Sequence, residues 1–438
     1  MPAPSSQKPF PSETDEKAPQ PSAAAYPGPA EPEADNTKTF SPAPDGGLRA
    51  WLAVAGAASI FFSCLGFLNS FGVFQEYYMA NQLRDSTPDA VAWIGSLAAF
   101  IQFAAGAIAG PLFDRYGVWV VRPGAVLYVL SVMLISICTA YWHFMLVQGV
   151  VAGIAMAMLQ LPAIAAVSQY FDKRRAAALG VVISGSSIGG IVFPIALSKM
   201  LNDSSLGFGW SVRIMGFVVA PLLALSCFTV TARLPPRETD FFIGSAFKRP
   251  RYLLLIFSLF CVMAGMFTPL FFLPSYAVTR GVDTTLASYL LAIVNGASTF
   301  GRIVPGILAD KYGRLNVFGL GALATGVVVL CLNSAVSEAG LIVYSVAFGF
   351  TSGTIVSGVS AAISTCTDDP RELGTYMGMG MAIGSIASLI GPPVNGVLVA
   401  SYGGFLQASI FSGVMCFAGG ITVLGTKAIT PQGLFGRA

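Results

Sequence analysis

The stretch "NGASTFGRIVPG", residues 295 to 306, places one guanidinium among small and apolar neighbours. The planar donors of Arg302 are suited to gripping a carboxylate with two parallel hydrogen bonds. Yet no Asp or Glu occurs within the central part of any apolar run, and Glu76 lies near a run's end. An arginine without a resident carboxylate implies one brought from outside, so the expected chemistry is recognition of an anion. Asn69, Asn295 and Ser298 add amide and hydroxyl groups able to hold a larger, oxygen-rich ligand. The competing expectation for Arg302 is a structural bond to helix-end carbonyls or to a polar side chain such as Asn69. For the asparagines and Ser298 it is packing or interhelical bonding.

Catalytic chemistry finds little support. His143 is the single histidine, and the seven cysteines show no CxxC or metal-type spacing. No nucleophile–base set is visible, so neither an enzyme nor a metal or cofactor site is expected. A net charge of +3 without basic clusters interleaved with aromatics excludes a nucleic-acid binder.

A second pattern is duplicated. "GPLFDRYGVWVVRPG" begins at Gly110 and "GILADKYGRLNVFG" at Gly306. Gly110, Asp114, Arg115 and Gly117 in the first match Gly306, Asp310, Lys311 and Gly313 in the second, at an offset of 196 residues. Glycines permit a tight turn between antiparallel helices. An Asp can cap a helix N-terminus or pair with a nearby arginine, and such contacts can break and reform as two bodies rock. "GSSIGGIVFP" at Gly185 and "GSIASLIGPP" at Gly384 repeat at an offset of 199.

The solvent around these residues follows from composition. Hydrophobic residues make up 55% and charged residues 10% of the chain; a soluble domain carries about 25% charged residues. Mean hydropathy is +0.71. Apolar runs of about 20 residues, enough to cross a ~30 Å hydrocarbon core, recur twelve times. Their approximate limits are 51–77, 91–112, 119–139, 143–168, 175–200, 208–232, 252–278, 284–308, 315–334, 338–362, 372–399 and 404–426. The chain is therefore expected to be an all-α membrane protein of twelve transmembrane helices in two six-helix halves, residues 49–232 and 252–426, whose parallel repeats enclose a central cavity. A short basic linker, 233–251, joins them. Residues 1–48, rich in Pro, Ala, Ser and acids and lacking an apolar signal-like core, are expected to be a disordered tail, and 427–438 a second tail. With both termini cytoplasmic, nineteen Lys and Arg fall in inner segments and four in outer ones, as the positive-inside rule requires. Arg302 accounts for the remaining basic residue. It lies eight residues before Asp310, about 12 Å inside the surface at 1.5 Å per residue. A charge at such depth costs at least ~2.5–3.5 kcal/mol, so it should face a cavity and a partner.

The paired G-x-L-x-D-[RK]-x-G segments resemble the loop motif of the major facilitator superfamily. "DGGLRAW", holding Asp45, Gly46 and Trp51, and "YFDKRRAAALGVVISGSSIGG", holding Tyr170, Phe171, Arg174, Arg175, Gly180 and Gly185, are similar to signatures of its monocarboxylate porter family in fungal form. That resemblance implies the major facilitator fold, alternating access and proton linkage. Arg302 falls where animal members carry an arginine for the substrate carboxylate. Their acid one turn earlier is Ser298 here, and their span 1 lysine aligns with Asn69. Drug antiporters of the superfamily carry an arginine in span 4, where this chain has Gln148. The leading expectation is a secondary transporter of a small organic acid. The alternative is an efflux transporter of a carboxylate-bearing secondary metabolite, and a nutrient sensor ranks below both. The implied setting is a monomer among membrane lipids, in the plasma membrane, with a small anionic substrate.

Overall fold

The computed structural model describes residues 43–202, 204–235, 242–367, 369–429 and 433. Most of the expected N-terminal tail, Asp203, residues 236–241 of the expected linker and most of the expected C-terminal tail lie outside the described residues. Every regular element among those described is helical. In chain order they are α1 (Leu48–Asn69), α2 (Phe71–Ala80), α3 (Pro88–Ala104), α4 (Gly106–Tyr116), α5 (Val121–Ile135), α6 (Tyr141–Phe144), α7 (Ala152–Tyr170), α8 (Arg175–Asn202), α9 (Gly207–Thr229), α10 (Pro250–Thr279), α11 (Thr284–Tyr312), α12 (Arg314–Leu330), α13 (Glu338–Ile363), α14 (Leu373–Tyr402) and α15 (Leu406–Ala428). Hydrocarbon offers no partner to backbone N–H and C=O groups, so apolar segments of this length must satisfy them internally as helices.

The twelve expected spans map onto these elements with local breaks. Span 1 is α1 and α2 joined at Ser70, and span 2 is α3 and α4 joined at Ala105. Span 4 begins with α6, continues through a π-helical stretch over Met145–Val151 and ends as α7; no sequence signal anticipated that wide turn. Eleven stretches are long and apolar enough to cross a membrane. One of them, Ala90–Ile135, is 46 residues long and would extend about 69 Å as a single helix, far more than one bilayer. It is divided at Gly117, whose φ of +61° favours glycine, followed by a 3₁₀ turn over Gly117–Val120. Gly313, φ +106°, plays the same part between α11 and α12. The expectation that Gly110 and Gly306 also serve turns is corrected: both lie inside helices, α4 and α11.

Their role is close approach. A methyl group built on Gly110 would stand 2.0 Å from the Gly374 carbonyl oxygen of α14, and one on Gly306 would stand 2.7 Å from the Ala176 carbonyl of α8. One turn earlier the pattern repeats. Gly378 meets the Gly106 carbonyl at 2.1 Å, and Gly180 meets the Arg302 carbonyl at 2.3 Å. The first and last six spans thus meet along two matched crossings, α4 on α14 and α8 on α11. In this register Arg302 corresponds to Gly106, at the same offset of 196 residues. On its other side α8 packs against α1, where Gly185 and Gly189 would each meet a carbonyl, of Ala58 and Phe62, at 2.3 Å. Small residues let helix backbones come this near in a membrane, where dispersion and packing replace the hydrophobic drive.

Because a backbone carbonyl cannot swing aside as a side-chain tip can, Gly189→Val is expected to destabilise the protein by about 1–3 kcal/mol. Gly72→Val, with nothing within 4 Å, serves as the control. A thermal unfolding series in detergent that gave the two variants equal midpoints would reject the close-packing account.

Candidate functional site

At one end of the bundle, two carboxylates hold the first turns of helices from the opposite set of six. Asp114 of α4 accepts hydrogen bonds at Oδ1 from Gly374 N, 3.2 Å, and at Oδ2 from Thr375 N, 2.6 Å, and Thr375 Oγ1, 2.7 Å. Asp310 of α11 accepts at Oδ1 from Ala176 N, 3.0 Å, and at Oδ2 from Ala177 N, 2.8 Å. The first N–H groups of a helix have no partner within it, and its dipole puts partial positive charge there. An aspartate arriving from another element therefore supplies what α8 and α14 cannot supply themselves. Arg314 Nε lies 3.6 Å from Asp310 Oδ1 and ties that carboxylate to α12. The exposed Arg115 and Lys311 do not pair with these aspartates; each lies over the ring of the tyrosine that follows it, Tyr116 and Tyr312.

The start of α8 carries a second carboxylate. Asp45 Oδ1 accepts from the backbone N–H of Asp172, Lys173 and Arg174 at 2.7, 2.8 and 3.3 Å. Asp45 takes a φ of +51°, and its own N–H donates to Tyr170 O at 3.1 Å. The Trp51 and Phe171 rings meet edge to face at 5.5 Å, and Tyr170 Oη pairs with Thr231 Oγ1 at 2.8 Å. Arg175 Nε donates to Phe171 O at 2.9 Å, and Arg314 reaches the Asp172 carbonyl. The two sequence signatures that resembled one family, around Asp45 and Tyr170, are thus one interlocked unit. Gly46 leads into α1, and Arg174 takes part through its backbone while its side chain is exposed.

Arg302 is 9% exposed and faces α8. One terminal nitrogen donates to Ile183 O at 2.7 Å and to Ser186 Oγ, while Ser186 itself donates to Ile183 O at 2.8 Å. No carboxylate among the described residues pairs with the guanidinium, and Nε has no partner. The structural bond is therefore present, but it goes to a mid-helix carbonyl and a serine rather than to Asn69 or helix-end carbonyls. It also crosses from the last six spans to the first six. Ser186, between two glycines that drew attention for packing, is a site residue that sequence reasoning missed. The visible signal was a hydroxyl inside an otherwise small and apolar run.

Asn69 and Asn295 are brought together over Gly190. A methyl there would lie 2.7 Å from Asn69 Nδ2 and 3.1 Å from Asn295 Oδ1, while Asn295 Nδ2 is held by Leu291 O at 3.0 Å. Asn295 and Arg302 are seven residues apart, two turns along one helix face. Ser298 turns aside: its Oγ is 3.0 Å from where a side chain on Gly353 of α13 would begin, so it faces a neighbour within its own set of six. Gln148 accepts from Tyr78 Oη at 2.8 Å, a structural bond at the place where drug antiporters carry arginine.

Residues 56–305 and 281–433 match the model of the Major Facilitator Superfamily, and the chain belongs to that family. It is a transporter of that type, a multi-pass membrane protein handling small molecules, and not an enzyme. Among curated relatives, it is 45% identical over 402 residues to the aspyridones efflux protein of Emericella nidulans, covering 92% of this chain and 82% of that one. It is 37% identical over 396 residues to the agnestins efflux protein of Paecilomyces divaricatus, covering 89% and 90%. Among solved structures, FucP in the outward conformation superposes with a TM-score of 0.69 at 16% identity, over 86% of this chain and 99% of that one.

Each aspartate cap contributes roughly 0.5–2 kcal/mol. Asp114→Ala combined with Asp310→Ala is therefore expected to shift the ratio of open to closed forms at this end by about tenfold or more. Spin labels at Lys173 and Lys311 should report a longer, broader distance distribution in the double variant. An unchanged distribution would remove the aspartates from control of closure.

Proposed function

We propose that this protein is a secondary active efflux transporter for a fungal secondary metabolite bearing an acidic group, working by alternating access with Arg302 as the anion anchor. The observation carrying this reading is a buried guanidinium that bridges the two sets of six spans through neutral partners alone. The printed activities of the aspyridones and agnestins efflux proteins favour a metabolite exporter over an importer of small acids. The signatures around Asp45 and Tyr170 support a lineage of monocarboxylate porter type. The excess of basic residues at the end holding Asp114 and Asp310 supports cytoplasmic termini in a monomer at the plasma membrane, with residues 49–232 and 252–426 as the moving halves about the 233–251 linker.

The mechanism follows from competition for one cation. In the form with Asp114 and Asp310 engaged, Arg302 is held by the Ile183 carbonyl and Ser186. The bonds to Ile183 O and Ser186 already have an ionised donor; a carboxylate adds the opposite charge on the acceptor and a bidentate geometry, together with a partner for Nε. An acidic cargo that takes the guanidinium removes a bond between the halves as it binds. Cargo affinity is thereby linked to the equilibrium between closed and open forms, since a ligand shifts a conformational equilibrium only through its differential affinity. Asn69 and Asn295, drawn together over Gly190, supply hydrogen bonds two turns away. Asp114 and Asp310 with their glycines form the switch that must release before that end opens. Proton linkage fits the lineage.

In proteoliposomes loaded with an aromatic carboxylic acid under an imposed pH gradient, Arg302→Gln is expected to reduce transport at least about a hundredfold. This is the scale of losing a buried charge-assisted bond pair. Arg302→Lys, which keeps charge without the bidentate fork, should recover only part. Equal rates for wild type and Arg302→Gln would eliminate Arg302 as the anchor.

A further inference from the structure

A second buried polar pair lies outside the site described so far. Gln102 of α3 and Gln160 of α7 are 2% and 5% exposed. Gln102 Nε2 donates to Gln160 Oε1 at 3.2 Å, leaving Gln102 Oε1 and Gln160 Nε2 without nitrogen or oxygen partners among the described residues. The remainder does not depend on how either amide is turned. One bond between two carboxamides always spends one carbonyl and one NH₂, leaving one of each. Gln160 also makes a side-chain hydrogen bond to Cys64; a sulfur is a weak acceptor and takes at most one of the two N–H groups of Nε2, so a donor of Gln160 and the carbonyl of Gln102 remain unmet. A buried donor or acceptor whose bond is left unmade is destabilising.

Two other buried glutamines of the first six spans are bonded, although Gln82 Oε1 is, like this pair, without a partner among the described residues. Gln169 Oε1 accepts from Arg233 N at 2.8 Å and Leu234 N at 3.0 Å, and Gln148 is bonded to Tyr78. The unsatisfied pair also has a significant level in the bundle. Gln102 corresponds to Ser298 at the repeat offset of 196 residues, one turn from the level shared by Gly106 and Arg302. A methyl group built on Gly106, four residues on, would stand 2.4 Å from Leu161 of α7 and 3.8 Å from Gly378 of α14. The face bearing Gln102 thus turns toward α7 and the crossing between the two sets of spans. Ser63 of α1, next to Cys64, adds a further buried hydroxyl oxygen without a partner.

We propose that Gln102 and Gln160 form a second cargo contact, selective for a lactam or cis-amide unit that presents N–H beside C=O. The cargo N–H donates to the spare carbonyl, and the cargo carbonyl accepts from the spare NH₂. This contact rests on the transporter reading above and deepens it: the acidic group is read by Arg302 and the amide-like group by the glutamines of the first six spans. A cargo lacking the donor leaves a buried carbonyl unpaired and is rejected, which is how a hydrogen-bonding pocket discriminates.

The test compares oxindole with N-methyloxindole, which differ in the lactam N–H, by equilibrium binding to the full-length protein in lipid nanodiscs. Wild type is expected to prefer oxindole roughly tenfold. Gln102→Leu combined with Gln160→Leu should abolish the preference, whereas Arg302→Gln should keep it. Replacing both amides together by apolar groups of similar size avoids a half-satisfied pair, so the double variant should unfold at or above the wild-type temperature. No preference in wild type, a preference that survives in the double variant, or a large drop in its unfolding temperature would overturn the proposal. Failure of the anion-anchor reading is separate: it appears as unchanged acid transport in Arg302→Gln, whatever the glutamines do.

Discussion

A helix in hydrocarbon satisfies its own backbone everywhere except at its ends. That constraint governs how the two sets of six spans meet. The first turns of α8 and α14 present unpaired N–H groups at one end of the bundle, and the carboxylates that complete them, Asp310 and Asp114, come from the opposite set. Contact at this end combines a few polar bonds with crossings so tight that each has glycine on one side, facing glycine, alanine or, at Gly180, the backbone of Arg302. Dispersion makes such crossings adhesive only at short range.

Within this closed end, Arg302 breaks the repeat. Its counterpart Gly106 packs on Gly378 just as the Arg302 backbone packs on Gly180, so the crossing itself needs no side chain there. The guanidinium is an addition to one copy, held by Ile183 O and Ser186. Under the proposed transport cycle, the asymmetry gives one half the means to read a charge. The other half carries the uncharged amides of Gln102 and Gln160 at nearly the same level. Two bodies built on one plan thereby differ at their shared face in the chemistry they offer.

Asp45 joins this arrangement from outside the spans. It caps the approach to α8 while Asp310 caps its first turn, so one helix start is held by both sets of spans. Signatures 125 residues apart in the chain, met separately as family marks, are a single contact. Their residue types follow from that contact: a short carboxylate to accept three N–H groups, and the Trp51 and Phe171 rings to pack edge to face.

The sequence by itself determined the helical class, the apolar spans, the repeat and the isolation of Arg302, because length, hydropathy and the absence of acids are local properties in a medium that permits little but helix. It did not determine the breaks at Ser70, Ala105 and Met145–Val151. It located the paired aspartates but not the helix starts they hold, since Gly374 and Ala176 are distant in the chain. Gly110 and Gly306 read as turn residues because glycine has the same local freedom in a turn and at a crossing; only the neighbour's carbonyl distinguishes the two. The partner of Arg302, the convergence of Asn69 and Asn295 over Gly190, the turning of Ser298 toward α13 and the half-satisfied glutamines were decided by tertiary structure. Each depends on which faces of two helices meet, and hydropathy that is nearly uniform around a helix leaves that choice to packing.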